Sequence, residues 1–196
     1  MSTTSPSLAR GAAYGAGAGA VASVAMGMYA MIASLIKDTG FFTPLHHIAT
    51  LFVDPTAMME SMMGAMSGEG SFEISAGPAI LGLVIHMMTG AMYGALFGIA
   101  AALLKQVSTA VLAVAGLVYG FIVYLISAFV GLPVAAAIFG VDTLAEGDMN
   151  GMNPIGDMAQ MAGTNVFIPE HLVFGLVVGV LYALSLRSTT KATVNA

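Results

Sequence analysis

The sequence predicts an all-α, polytopic membrane protein: four transmembrane helices in a bundle built from two parallel αα-hairpin repeats, with short amphipathic helices on the outer side. Three observations lead there. Gly11 to Ile36 carries no charge over about 26 residues, enough at about 1.5 Å per residue to cross a bilayer core. Hydrophobic residues make up 58% of the 196-residue chain and charged ones 8%, whereas about a quarter of a soluble domain is charged. The charges that exist are also segregated along the chain by sign.

The first repeat covers residues 1–104, with crossings at about 11–36 and 76–104 around an outer Met-rich segment, 38–73. The second covers 105–196, with crossings at about 107–132 and 167–186 around an outer segment, 134–166.

Met1 to Ala9 is a short polar leader, and Arg10 precedes the first apolar run. That run is longer than a signal-peptide core and ends at Lys37-Asp38 without a small-residue cleavage site, so it reads as a retained helix. The second charge-free run, Ile74 to Leu104, has Pro78 near its start and closes at Lys105. The third, Gln106 to Val141, exceeds what a bilayer needs, and Gly131-Leu132-Pro133 is expected to kink or end it. The fourth, His171 to Leu186, is short, and Val166 to Pro169 extends it at the interface.

In the first outer segment, Thr43-Pro44 and Asp54-Pro55 each place a capping side chain before a proline at the first helical position. Met58, Met59, Met62, Met63 and Met66 then recur at helical spacing until Ser67-Gly68-Glu69-Gly70. In the second outer segment, Asn153-Pro154 is expected to cap a short helix that carries Met158 and Met161 and ends at Gly163.

Orientation follows from the basic residues, which stay on the cytoplasmic side. Arg10, Lys105, Arg187 and Lys191 fall on one side of a four-crossing chain, and Lys37 on the other. Asp38, Asp54, Glu60, Glu69, Glu73, Asp142, Glu146, Asp148, Asp157 and Glu170 all fall in the opposite segments. Both termini are therefore expected to be cytoplasmic, in a plasma (inner) membrane. The net charge of −5 and the lack of a basic cluster exclude nucleic acid as an expected partner. The absence of cysteine excludes disulfides, thiolate metal sites and cysteine nucleophiles.

The halves match in order. Gly11 to Tyr14-Gly15 corresponds to Gly116 to Tyr119-Gly120, and His86, Gly90, Gly94 to His171, Gly175, Gly179. Each half starts and ends on the same side, so the repeats are parallel, about a pseudo-twofold along the membrane normal. With Gly98, the glycines at 15, 90, 94, 120, 175 and 179 form the predicted helix-packing faces, since small residues let backbones approach in lipid. His86 and His171 lie on these faces.

Three readings of that histidine pair compete. In the first, each imidazole bonds a neighbouring helix and fixes packing, with Thr89, Tyr93 and Tyr182 as candidate partners. In the second, they bind a divalent ion or copper together with Glu170, His46 or His47. In the third, His86 and His171 hold a b-type haem. The soft thioethers of Met59, Met62, Met63 and Met66 beside His46-His47 suit Cu(I), and equally form an adaptable apolar face for membrane or partner. The residues contain no phosphate loop, no Ser/His/Asp arrangement in recognisable context and no intramembrane carboxylate pair.

The Gly- and Ala-rich first helix, His86 opening the second, the third helix running into Gly131-Leu132-Pro133, and Glu170-His171-Leu172 opening the fourth resemble the YagU-type family of inner-membrane proteins. That resemblance implies a four-helix inner-membrane protein and brings no catalytic residues with it. The expected function is a non-catalytic binding or accessory role, as a subunit of a larger membrane complex or by self-association. A copper- or haem-binding protein is the alternative, and a small transporter or channel is the third.

Overall fold

The computed structural model describes residues 7–104, 108–139, 141, 143 and 151–194. Lys105, Asp142, Glu146 and Asp148 lie outside them, as does the polar leader up to residue 6. Among the described residues there are helices and no strand: α1 (Leu8–Ile36), α2 (Thr43–Ala49), α3 (Thr56–Met66), α4 (Ala76–Ala102), α5 (Thr109–Ile126), a π-helical turn (Ser127–Gly131), α6 (Leu132–Phe139), α7 (Met158–Ala162) and α8 (Thr164–Val194). Four stretches, Leu8–Ile36, Ala76–Ala102, Thr109–Phe139 and Thr164–Arg187, are long and apolar enough to cross a membrane.

The chain divides into two compact units. The first comprises Met1–Met26, Met87–Val123 and His171–Ala196, and the second Gly27–His86 and Tyr124–Glu170.

In the first unit, glycines decide how near the helices come. A Cβ on Gly15 of α1 would overlap the Gly94 carbonyl oxygen of α4 and lie 2.9 Å from Gly98 Cα, and one on Gly94 would lie 2.7 Å from Gly19 Cα. The α5 and α8 helices meet in the same way: a Cβ on Gly120 would overlap the His171 carbonyl oxygen and lie 3.1 Å from Gly175 Cα. Where lipid replaces water, dispersion between close backbones holds helices together, and any side chain here would push them apart. Ala22, Phe97, Leu112, Phe174, Val178 and Tyr182 fill the core of this unit. Tyr119 donates its hydroxyl to the Tyr93 carbonyl at 2.6 Å, and Tyr182 donates to the Gly98 carbonyl at 3.1 Å, so both phenols are satisfied in the apolar interior.

In the second unit, Met31, Leu45 and Ala79 form a small core with Phe41 and Phe42 packed on it. Gly82 of α4 sits against Leu45 of α2, with no room for a Cβ beneath the Leu45 carbonyl. Helix α2 packs on α3, whose Met58, Ser61 and Ala65 are buried.

Several elements depart from the sequence expectation. Thr43 does not cap α2: it lies in the first turn, and its hydroxyl pairs with Ser61 Oγ at 2.8 Å. Asp54 does act at the start of α3, accepting the Thr56 N–H at 3.0 Å. Asn153 Oδ1 accepts the N–H groups of Ile155 and Gly156 at 3.1 and 2.7 Å, forming a turn that precedes α7. The third span neither breaks nor ends at Pro133. The π-helical turn before it, in which the Leu132 N–H donates to the Ser127 carbonyl, adds a residue to the turn. That moves the carbonyl four residues before the proline away from its ring, and the helix continues to Phe139. The fourth helix starts at Thr164, immediately after Gly163 (φ +84), and carries Pro169 inside it.

Candidate functional site

Two buried histidines sit together in the last turn of α2. Pro44 near its start presets the first turn, and His46 and His47 follow on adjacent positions, so their rings reach different neighbours. Both are buried, at 1% and 8% exposure.

His46 Nε2 accepts the backbone N–H of Ser75 at 3.2 Å. That nitrogen therefore keeps its lone pair, and the neutral ring carries its proton on Nδ1. Burial holds the His46 pKa below its usual value, with the Glu73 charge pulling the other way. His47 Nε2–H donates to the Pro154 carbonyl oxygen, which fixes the opposite tautomer. Burial pushes the His47 pKa down to about 4, with the Pro154 carbonyl pulling the other way. At neutral pH His47 is uncharged, a buried donor tying α2 to the segment before α7. Lys37 adds a second tie, its Nζ donating to the Ala162 carbonyl at 2.7 Å, where a cation meets the C-terminus of α7. Around this pair, Thr50 Oγ1 donates to the His47 carbonyl at 2.7 Å.

The other predicted site residues are dispersed. His86, half-buried on α4, lies in the second unit with its ring over Gly27 of α1; Cδ2 and Nε2 would be 3.5 and 3.6 Å from a Cβ there. His171 and Glu170 are buried at 3% and 5% exposure in the first turns of α8, His171 in the first unit and Glu170 in the second. Of the candidate partners named for the histidines, Tyr182 donates its hydroxyl to the Gly98 carbonyl and Thr89 is exposed. On α3, Met59 and Met62 are half-buried, while Met63 and Met66 are 60% and 68% exposed. Among the described residues no three His, Asp or Glu side chains converge as a metal-ion cage would require. Both Nε2 atoms of the His46-His47 pair are engaged by backbone, so ligation through them would first break those bonds.

Sequence reasoning missed the groups that give these histidines their roles. Ser75 lies 29 residues from His46 and Pro154 lies 107 from His47, and a backbone partner has no side-chain signature. Gly82 and Gly27 were likewise not singled out, although small residues on apolar helices are the signal for such contacts.

No family model matches the chain, and neither a curated protein nor a solved structure is significantly similar to it.

Proposed function

We propose that the chain is a non-catalytic accessory protein of a plasma membrane that binds other membrane proteins, or a second copy of itself, through lipid-exposed helix faces. One observation carries the reading. Ala9, Ala13 and Gly17 form an exposed row at four-residue spacing on α1, with open space above Gly17. The other small row of this helix, Gly11, Gly15 and Gly19, is already covered by α4. In lipid, a row of small residues is where a neighbouring helix approaches, because bulky apolar side chains serve equally well for contact with acyl chains.

The buried histidines fit this reading as ties within the fold. The internal duplication belongs to the same proposal and rests on the matched order of the sequence motifs: α1 meets α4, and α5 meets α8, each through glycines, but Gly15 lies against Gly94 while its counterpart Gly120 lies against His171, so the two contacts differ in register. Cytoplasmic termini rest on the placement of Arg10, Arg187 and Lys191. Kinship with the YagU-type family rests on the Gly131-Leu132-Pro133 and Glu170-His171-Leu172 motifs.

The test is gentle co-purification from native membranes, comparing the chain with Gly17→Leu. The variant should fold as before and lose its partner, since a Cβ at position 17 faces open space among the described residues. Unchanged recovery of the same partners from Gly17→Leu would sink the assignment of this face.

A further inference from the structure

Between α2 and α4 the chain leaves six large apolar side chains exposed: Phe52, Val53, Met63, Met66, Phe72 and Ile74. Two of them belong to α3, which has three faces. Met58, Ser61 and Ala65, spaced i, i+3, i+7, are buried against the protein. Met59, Met62, Met63 and Met66, spaced i, i+3, i+4, i+7, form a second apolar row that runs from half-buried to exposed. Thr56 and Glu60, both exposed, make the third. A helix packed on a protein in water needs one apolar stripe and is polar elsewhere. This one has two, with its charge confined to the far flank, which is the pattern of a helix lying in a membrane–water boundary.

Its surroundings place it at the right level. The Phe52 ring packs on that of Phe139, centroids 5.0 Å apart, and Phe139 is the last residue of the third apolar span. Phe72 and Ile74 immediately precede Ala76, the first residue of the second, and Phe72 packs on Phe41, 5.4 Å away and just beyond the end of α1. The lipid-facing surface of the spans thus continues onto this segment without a polar break at these contacts.

We infer that α3 lies in the plane of the membrane boundary, with the row of Met59, Met62, Met63 and Met66 in the headgroup and upper acyl region and Glu60 in water. The occupant of this face is phospholipid. Methionine suits it, since its flexible side chain conforms to a fluid surface. The charge of the segment selects against anionic headgroups: Asp54, Glu60, Glu69 and Glu73 are all exposed, so the row and the tether to the spans hold the helix down, not ionic attraction.

The chain contains no cysteine, so single substitutions report cleanly. Met63→Cys, Met66→Cys and Glu60→Cys would each carry an environment-sensitive fluorophore, with the protein reconstituted in phosphatidylcholine vesicles and circular dichroism confirming the helices. Nitroxide placed high on the lipid acyl chain should quench the label at 63 and 66, and iodide on both sides of the vesicle should quench it there several-fold less than at 60. Iodide quenching at 63 and 66 equal to that at 60 would overturn the inference and make α3 a helix in water. Protection of 63 and 66 from both quenchers would overturn it too, assigning the row to a second copy of the chain.

Discussion

His47 of α2 donates its Nε2–H to the carbonyl oxygen of Pro154, a residue 107 positions later in the chain. One buried imidazole thereby ties together two segments that the apolar helices separate in sequence. Its replacement tests how far those segments depend on each other. His47→Ala leaves a buried carbonyl without its donor and a void beside it, and is expected to cost roughly 1–3 kcal/mol. His47→Gln, which retains an amide donor, should recover part of the loss. Thermal unfolding of the detergent-solubilised protein reads both.

The same residue predicts a pH dependence. Its folded pKa, about 4, lies below the ordinary 6.5, so between those values the unfolded chain binds the proton more strongly than the folded one. Stability is then full above about pH 6.5 and falls as pH drops toward 4, by up to ~3 kcal/mol. His46, also lowered by burial, acts in the same sense. The midpoint of thermal unfolding measured from pH 7 down to pH 4.5 should decline, and the decline should be shallower in His47→Gln.

Gly94→Ala is expected to be severe although it adds one methyl group. The new Cβ would meet the Gly15 carbonyl oxygen and the Gly19 backbone, 2.7 Å from its Cα, and backbone cannot move aside as a side-chain tip can. Overpacking of this kind costs about 1–3 kcal/mol or separates the helices. Gly17→Ala, facing open space, should be neutral or slightly stabilising. Unfolding midpoints of the two variants in the same detergent check the contrast.

Tyr119→Phe removes the hydroxyl that reaches the Tyr93 carbonyl at 2.6 Å while leaving the ring against Phe97. The expected loss is about 0.6–1 kcal/mol, the usual worth of an interhelical hydrogen bond in a membrane protein. A loss as large as that of Gly94→Ala would mean that the phenol does more than join α4 to α5.

The four apolar spans were legible because a charge-free run of bilayer length has few other uses, and α1 from Leu8 and α4 to Ala102 differ from expectation by a few residues at their ends. Asp54 and Asn153 also act locally, as short polar side chains beside proline do. Pro133 shows the limit of such local rules. Proline forbids a regular α-turn, but one π-helical turn ahead of it lets the helix pass, and that choice depends on the surrounding protein. Thr43 looked like a cap and instead pairs with Ser61, an arrangement created when α2 packs on α3. The histidines illustrate the larger gap: their type marked them out, while Ser75 and Pro154, which define their tautomers, act through backbone atoms that every residue possesses.

The central claim, that α1 offers its exposed row to a partner helix, is tested most directly by cross-linking within the native membrane. A photoreactive side chain at Val21, the next position of the Ala9, Ala13, Gly17 row and 56% exposed, should form discrete protein adducts. The same group at Val118 on α5, 58% exposed among larger apolar side chains, should label lipid. Lipid adducts alone at both positions would contradict the account and leave α1 facing acyl chains.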